Sequence, residues 1–401
     1  MKRLLVLGGG AAQLGLLAAA RARSLFVIAV DRDPSAPGFR FADRRAIVSV
    51  EDEHAIDRLA AAERVDGLIA PGIDWPVAIA ARVAERLGLP HPLSPATAVL
   101  ATSKLRQRER FAQAGVAQPR YELCRGLEEA VAAAERVGFP CVVKPPDRQG
   151  QRGLAVVDRP DGLERAVAGA LDAARGDVLL VEELVTGPEL TVTGFSVGGA
   201  FHALTVTDRL VAEAPAFGVA LAHAWPSSAP VEAAVREASA AATAIGVTDG
   251  PTYTQVRVGP EGAKVGELAA RLGGGHDAEL CEAALGVRLN DVALAAALGE
   301  EVDESALAPS ACIGGACVRF LVAPPGELRA VAGVEQAERA KGVRWVRLHH
   351  APGHVYGLLR RGADRAGAIL AVGGGRDDAL ERADRAAALL RFDTATADAL
   401  V

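Results

Sequence analysis

The stretch VGELAARLGGG at residues 265–275 places a carboxylate, a guanidinium and a run of glycines close together. Val265 closes a short strand that begins after the turn at residues 259–262, so Glu267 leaves the strand end facing a cleft. A carboxylate suits Mg²⁺, and the fork of Arg271 suits phosphate or carboxylate oxygens. The glycines let the backbone approach a bulky ligand without a Cβ atom in the way. The stretch therefore predicts a reaction centre at a strand-to-helix turn, with a solvated Glu–Arg pair as the alternative.

The strand before this turn supplies a second oxygen donor. Residues 253–258 are predicted to form that strand, so Gln255 and Glu267 fall on adjacent antiparallel strands. Paired oxygen donors across a hairpin are a natural seat for Mg²⁺. His276 follows the glycines at a helix start, where a lone histidine is more often structural than a ligand.

Composition limits the class of protein. A chain of 401 residues predicts two to four domains. Alanine-rich helical periods alternate with short Val/Ile/Leu strands, which indicates an α/β protein. The net charge of -6 lacks the basic stripe that a nucleic-acid partner needs, and no stretch after the N-terminus could span a membrane.

The cysteines indicate the compartment. The five cysteines form no CxxC pair or disulfide framework, so we expect reduced thiols and a cytoplasmic location. The basic, apolar N-terminus has some features of a signal peptide, but three adjacent glycines and Gln13 interrupt it.

The N-terminal residues predict a βαβ unit. A strand at residues 2–7, a glycine turn, a helix and a second strand ending at Asp31 follow one another. Asp31 stands where a dinucleotide-binding fold has its ribose-binding acid, but Gln13 occupies the third glycine position of GxGxxG, which disfavours a nicotinamide site. Asp74 lies at the carboxyl end of a later strand, where open sheets bind ligands, or it caps the next helix.

The middle of the chain carries two isolated lysines. Only five of the 44 basic residues are lysine, so Lys104, in a helix predicted over residues 98–115, and Lys144, at a strand end, indicate sites that need a compact ammonium. The loop KPPDRQGQRG, residues 144–153, has the composition of loops that fold over phosphates. Glu182 and Glu183 lie at the end of a further strand. They either contribute to the binding site or belong to an exposed turn.

These motifs together resemble the ATP-grasp superfamily. Lys104, VVKP with Lys144, the glycine loop, VEELVTGPEL and ELAARLGG occur in the order typical of that superfamily. PGIDWPVAIAARVAERLGLP, RERFAQAGV and RLGGGHDAELCEAALGV are similar to the carboxylate–amine ligase branch, notably bacterial L-amino-acid (dipeptide) ligases. The resemblance implies an ATP-grasp fold of α/β and α+β parts with a Rossmann-like pre-ATP-grasp domain at residues 1–97. It further implies a small lobe with its preceding helix at 98–180, a large lobe at 181–305 and a C-terminal subdomain completing it at 306–401.

The resemblance also implies roles for the nucleotide-binding residues. Lys104 and Lys144 would contact the α and β phosphates of ATP, and Gly150 and Gly153 belong to the loop that closes over the γ-phosphate. Adenine would lie against a hinge segment that contains Glu182, Glu183 and Val185. The ribose hydroxyls would be bound by the carboxylate of Glu189.

The remaining implied roles concern the reaction. Glu267, with Gln255, would hold Mg²⁺, while Arg271 would act with Lys144 in catalysis by binding the substrate carboxylate and then the transferred phosphoryl group. The other implied substrate contacts are Asp74, Gly274 and His276.

The implied activity is an ATP-dependent ligase that joins an amino acid or small carboxylic acid to an amine through an acyl phosphate, with release of ADP and phosphate. A homodimer is common among such relatives. The chain departs from the metal-binding pattern of the superfamily at two positions. Ala269 stands where an asparagine is usual, and Gln255 stands where an acid is common, so the number of bound Mg²⁺ ions is open. The alternatives are a purine-biosynthesis-type enzyme that activates bicarbonate or formate for a phosphoribosyl amine, and a degenerate nucleotide-binding protein.

Overall fold

The structure, a computed structural model, describes residues 1–148, 152–213, 216 and 218–395. Its N-terminal region is a four-stranded parallel sheet in the order β3-β2-β1-β4. The βαβ opening predicted from the sequence is confirmed, because the apolar run of the first strand is buried between helices. The elements are β1 (Arg3–Leu7), α1 (Leu14–Ala22), β2 (Phe26–Asp31), β3 (Arg44–Ile47), α2 (Glu53–Glu63), β4 (Gly67–Ile69) and α3 (Trp75–Leu87).

A small antiparallel sheet follows, in the order β5-β8-β6-β7, and is covered by two helices. The elements are α4 (Pro95–Ala101), α5 (Lys104–Ala114), β5 (Tyr121–Cys124), α6 (Leu127–Val137), β6 (Cys141–Lys144), β7 (Ala155–Val157), α7 (Leu163–Ala173) and β8 (Leu179–Glu183). The single helix predicted over residues 98–115 is wrong. Ser103 is extended and its hydroxyl caps α5, so the chain starts a new helix at Lys104.

The rest of the chain builds an eight-stranded antiparallel sheet in the order β13-β12-β9-β10-β11-β14-β18-β16, beside a three-stranded sheet, β17-β15-β19. The elements are β9 (Glu189–Val197), β10 (Ala200–Val211), β11 (Ala220–Trp225), α8 (Glu232–Ala244), β12 (Gly250–Gly259), β13 (Gly262–Ala269), α9 (Asp277–Leu285), α10 (Leu289–Ala297), β14 (Gly315–Leu321), β15 (Gly326–Ala332), α11 (Val334–Glu338), β16 (Val343–Leu348), β17 (Val355–Tyr356), β18 (Gly367–Gly373), α12 (Arg376–Leu389) and β19 (Arg391–Ala395).

Helix α5 completes the free edge of this large sheet. The side-chain amide of Gln107 donates to the carbonyl of Leu268 at 2.8 Å and accepts from its N–H at 3.0 Å, as a neighbouring strand would. This pairing satisfies backbone groups at the edge strand β13. It also fixes the first turn of α5, and therefore Lys104, beside the strand that carries Glu267.

The four-part domain division stays a proposal. Two of its boundaries, between residues 97 and 98 and between 180 and 181, fall inside α4 and β8. The C-terminal residues supply β14, β16 and β18 to the large sheet. In the described part of the chain, no helix has the length and apolar character needed to cross a membrane.

A substitution at Phe111 tests the packing of α5. Its side chain is fully buried in the core that α5 shares with α3 and α8. We expect Phe111→Ala to lower the free energy of unfolding by about 3–5 kcal/mol, because the cavity cannot fully collapse. Urea unfolding followed by circular dichroism measures this. Val131→Ala, at an exposed position of α6, is the control. Equal small effects of both substitutions would contradict the packing described.

Candidate active site

A cleft of about 1360 Å³ runs between the small sheet, the large sheet and the N-terminal region. Most of the site residues predicted from the sequence line it. They are Asp74, Lys104, Lys144, Glu182, Glu183, Val185, Glu189, Gln255, Glu267, Arg271, Gly274 and His276. Gly153 has a positive φ of 72° and packs against α7, while its neighbours Arg152 and Leu154 line the cleft. Gly150 lies outside the described residues.

A buried ion cluster forms one end of the cleft. The Glu182 carboxylate accepts from Arg108 Nε at 2.9 Å and lies 2.7 Å from Lys144 Nζ. Burial opposes the charge on Glu182, but Arg108 and Lys144 outweigh it and hold the pKa of Glu182 at about 2. Burial, together with Arg108 and Lys104, lowers the pKa of Lys144.

Arg108 also ties this cluster to the large sheet. Its guanidinium donates to the carbonyls of Val265 at 3.0 Å and Gly266 at 2.8 Å, just before Glu267. Sequence reasoning missed Arg108. The available signal was its position one helical turn after Lys104, which puts both side chains on the same face of α5.

Glu267 faces the second lysine. Lys104 Nζ lies 3.1 Å from Glu267 Oε1 and donates to the carbonyl of Arg148 at 2.7 Å. Burial opposes ionisation of Glu267, but Lys104 and Lys144 lower its pKa, so it is a carboxylate in the cleft. Gln255 is its direct partner across the hairpin, which confirms the predicted pairing of the two strands.

These two residues bear on metal binding. Among the described residues, no group of three or more His, Cys, Asp and Glu side chains is arranged to hold a metal ion. Glu267 and Gln255 offer two oxygen donors, and the buried Ala269, in register with Tyr253, adds none. This donor set fits Mg²⁺ when oxygens of a bound ligand complete the coordination sphere.

Arg271 joins the large sheet to the N-terminal region. Its guanidinium pairs with the Asp74 carboxylate, Nη2 at 2.6 Å and Nε at 2.8 Å from the same oxygen. Burial opposes the charge on Arg271, but Asp74 outweighs it and raises the pKa of the guanidinium. The sequence predicts both residues as substrate contacts, and the structure brings them together as an ion pair.

The glycines at residues 273–275 allow close contacts within the protein, and Gly274 and Gly275 also line the cleft. A Cβ atom on Gly274 would lie 3.1 Å from the carbonyl oxygen of Gly72, and one on Gly275 would lie 2.5 Å from the His223 ring. The run therefore allows the N-terminal region and His223 to approach the turn closely.

His223 and Asp277 form a buried dyad that the sequence did not identify. His223 Nδ1 lies 2.8 Å from Asp277 Oδ1, and the other Asp277 oxygen accepts from the Gly275 N–H at 3.1 Å. Within the described part of the chain, His223 Nε2 has no hydrogen-bond partner, and the ring lines the cleft. Burial opposes ionisation of Asp277, but His223 lowers its pKa.

The acids predicted for adenine and ribose are already engaged. Glu183 pairs with Arg120 at 2.6 Å and with Lys264. Glu189 is held between Arg209 and Arg257, the latter at 2.6 Å. A ribose hydroxyl at Glu189 would therefore meet a carboxylate that two arginines already orient.

His276 belongs to a buried network. Its Nδ1 lies 3.1 Å from Glu279, which also pairs with Arg347, and its ring packs edge-on against Trp345. This arrangement is the structural role that the sequence favours for His276, although the ring also lines the cleft. Burial opposes the charge on Glu279, but His276 and Arg347 hold its pKa at about 2.

The cleft continues into an arm between the N-terminal region and the C-terminal subdomain. Arg365 lies over the Phe320 ring at 3.7 Å and donates to the Gly362 carbonyl at 2.7 Å. It forms no ion pair with any carboxylate that the structure describes. Burial and the nearby Arg209 lower the pKa of Arg365 to about 10. The same arm is lined by stacked imidazoles, His350 and His354, with ring centroids 3.6 Å apart.

Two family models match parts of the chain. The model described as L-amino acid ligase C-terminal domain 2 matches residues 319–395. The model described as Carbamoyl-phosphate synthase L chain, ATP binding domain, matches residues 103–194. The second match includes Lys104, Lys144 and Glu182.

Individual proteins are similar over different lengths. A formate-dependent phosphoribosylglycinamide formyltransferase of Burkholderia pseudomallei (strain 668) is 27% identical over 399 residues, which are 97% of this chain and 95% of the relative. The protein of that name from Rhodococcus jostii (strain RHA1) is 33% identical over 175 residues, so the chain spans only 43% of that relative. The L-amino acid ligase of Bacillus licheniformis has a TM-score of 0.83 and 21% identity, with 99% of both chains covered. At that identity the likeness shows the fold.

The ion cluster predicts a specific acid sensitivity. The folded pKa of Glu182, about 2, is below its ordinary value of 4.5, so its stabilising effect is complete above pH 4.5 and is lost as pH falls towards 2. Glu182→Gln should reduce stability at pH 7 by about 3–5 kcal/mol, because it leaves buried cations uncompensated. It should also flatten the pH dependence over this window, measured by urea unfolding at a series of pH values.

The matched control is Glu261→Gln, which removes an exposed acid beside Lys264. We expect it to keep the wild-type dependence on pH. If Glu182→Gln also kept the wild-type slope below pH 4.5, Glu182 would not be the titrating group.

Proposed function

We propose that the chain is an ATP-dependent carboxylate–amine ligase of the ATP-grasp superfamily that works through an acyl phosphate. One observation carries the proposal. Lys104, Lys144 and Arg271 line one cleft, each paired with a carboxylate, around Glu267. Such a site holds cationic donors in fixed positions for phosphates and for a substrate carboxylate, and it provides a carboxylate for Mg²⁺.

The nucleotide lies between the small and large sheets in this proposal. Lys104 and Lys144 bind its α and β phosphates, and the loop that contains Gly150 and Gly153 covers the γ-phosphate. Adenine lies against the hinge of Glu182, Glu183 and Val185, and ribose hydroxyls approach Glu189. The acids of this hinge are tied to arginine and lysine side chains, so adenine recognition falls to the backbone.

Arg271 is the proposed centre of the reaction. It neutralises the substrate carboxylate, whose oxygen attacks the γ-phosphorus while the bond to ADP breaks. The acyl phosphate keeps its phosphoryl group at Arg271, and the amine then attacks the acyl carbon and expels phosphate. Glu267 and Gln255 would hold Mg²⁺, which neutralises phosphate charge when bound.

The amine must lose a proton when it attacks. His223 is the cleft side chain best arranged to accept it, because Asp277 holds Nδ1 and leaves Nε2 without a partner among the described residues. The carboxylate of Asp277 also stabilises the imidazolium that would form. The departing phosphate is the other acceptor in the cleft.

The pairing of Arg271 with Asp74 favours an amino acid as the acid substrate. A carboxylate can take the guanidinium of Arg271 while the ammonium group of the same molecule takes Asp74. Bicarbonate and formate have no ammonium group that could contact Asp74. The amine would enter from the arm at Arg365, which is suited to an anionic group on that molecule.

Arg365 also supports a second candidate function. A buried guanidinium without a described acid partner would suit the phosphate of a phosphoribosyl amine, with formate or bicarbonate as the acid. The name of the Burkholderia pseudomallei relative fits that purine-type alternative. An absence of turnover would favour the third alternative, a degenerate protein that binds nucleotide without catalysis.

We place the protein in the cytoplasm, because four of its five cysteines are buried free thiols. A homodimer is the assembly that we propose, and light scattering tests it.

Carboxylate-dependent ADP release in the presence of Mg²⁺ and hydroxylamine tests the main proposal. Hydroxylamine converts acyl phosphates to hydroxamates, so an amino-acid pool should give both ADP and a hydroxamate. A formate or bicarbonate pool that alone released ADP would favour the purine-type function. No release with any pool would contradict both enzymatic functions.

Arg271→Lys should reduce ADP release by about 10²-fold, because an ammonium cannot form the same bidentate contact. The control is Arg159→Lys, at an exposed surface pair. Wild-type turnover by Arg271→Lys would move the carboxylate site elsewhere.

Gln255→Glu should lower the Mg²⁺ concentration that gives half-maximal ADP release, because it places a second carboxylate opposite Glu267. Glu267→Gln should have the opposite effect and abolish most turnover. An unchanged requirement for Mg²⁺ in both variants would contradict the metal assignment.

A further inference from the structure

A surface contact joins the small lobe to the N-terminal region. Arg175, just after α7, places its guanidinium over the Trp75 ring at 4.2 Å. The same guanidinium pairs with Glu51 at 2.8 Å. Trp75 is still 38% exposed, so this clasp of Glu51, Trp75 and Arg175 lies at the protein surface and not in a core. Its contribution to stability is therefore small.

One side of the clasp leads to the nucleotide end of the cleft. The Arg175 N–H donates to Asp147 at 2.9 Å, at the base of the loop after β6. The next residue, Arg148, donates to the Ala173 carbonyl, and its own carbonyl accepts from Lys104 Nζ at 2.7 Å. Lys104 in turn faces Glu267. Movement of Arg175 would therefore displace the backbone that positions a proposed phosphate-binding lysine.

The other side of the clasp leads to the acid end. Trp75 is the first residue of α3, directly after Asp74. Asp74 pairs with Arg271, and the Gly72 N–H donates to the Leu272 carbonyl at 3.1 Å. A substrate carboxylate at Arg271 would compete with Asp74, the residue that directly precedes Trp75 at the start of α3.

We propose that Trp75 and Arg175 are positioning residues that couple occupancy of the acid site at Arg271 to the affinity of the nucleotide site at Lys104. This inference rests on the proposed function, because it takes those two sites as the acid and nucleotide sites. The clasp connects the small lobe to the N-terminal region. In this proposal, the conformation of Asp74 determines the position of the Trp75 ring, and therefore its contact with the Arg175 guanidinium. A ligand at one site thus favours the arrangement that the other ligand needs.

A double-mutant cycle tests the coupling without any acid substrate. The affinity for a non-hydrolysable ATP analogue, AMPPNP with Mg²⁺, is measured by calorimetry for the wild type, Asp74→Asn, Arg175→Met and the double variant. The charge lost in Asp74→Asn acts on the nucleotide equally in both backgrounds, so it cancels in the cycle. We expect the effect of Asp74→Asn on affinity to differ by about fivefold between the wild-type and Arg175→Met backgrounds.

Further variants separate positioning from a merely structural role. Trp75→Phe keeps a ring face for Arg175 and should keep the coupling, whereas Trp75→Ala should lose it. Arg159→Met, on the same lobe, is the matched control. In that background, Asp74→Asn should change the affinity for AMPPNP by the same factor as in the wild type. Thermal unfolding of each variant checks that the fold is retained.

The outcomes distinguish this inference from the proposed function. Additive effects of Asp74→Asn and Arg175→Met in proteins that bind AMPPNP would overturn the coupling and leave the proposed function intact. A wild type that does not bind AMPPNP would overturn the proposed function, and the coupling with it. Loss of coupling in Trp75→Phe as well as Trp75→Ala would overturn the role of the ring.

Discussion

The buried contact of Arg108, Glu182 and Lys144 determines the geometry of the cleft. Glu182 pairs with two cations at once, and removing its charge would leave both buried cations without compensation. Arg108 also binds the carbonyls of Val265 and Gly266, so the same cluster connects α5, the small sheet and the edge of the large sheet. Helix α5 therefore contacts the strand on both sides of Glu267, through Arg108 and through Gln107.

Charge balance follows from this arrangement. Lys144, Lys104 and Arg271 are each paired with an acid, Glu182, Glu267 and Asp74 respectively. These three cations therefore leave little unpaired charge in the cleft and are held in fixed positions. In the proposed function, a nucleotide would compete with Glu267 for Lys104, and Mg²⁺ at Glu267 would then compensate the charge of that carboxylate. Arg365 differs, since it has no described acid partner, and this makes the arm beside it suited to an anionic substrate.

The sequence predicted the parts of the fold that local patterns determine. The βαβ opening follows from an apolar run and a glycine turn, and the pairing of Gln255 with Glu267 follows from a short hairpin. The ATP-grasp fold was predicted from motifs in register and is confirmed. The break between α4 and α5 was missed, because the capping of Ser103 was not recognised within a continuous helical pattern.

The site was predictable only in its motif residues. Arg108 and Glu182 are 74 positions apart, and His223 and Asp277 are 54 apart, so their pairing depends on tertiary structure that no local pattern specifies. The glycines at residues 273–275 make room for His223 and Gly72, contacts that no local pattern specifies, and their approach to a ligand stays a prediction. Gly150 falls outside the described residues, so its role stays a prediction.

A crystal structure with AMPPNP and Mg²⁺ tests the central claim most directly. The account predicts that Lys104 leaves Glu267 to bind phosphate oxygens, that Mg²⁺ takes its place at Glu267, and that Arg108, Glu182 and Lys144 keep their contact. A nucleotide bound elsewhere, with Lys104 still paired to Glu267, would contradict it.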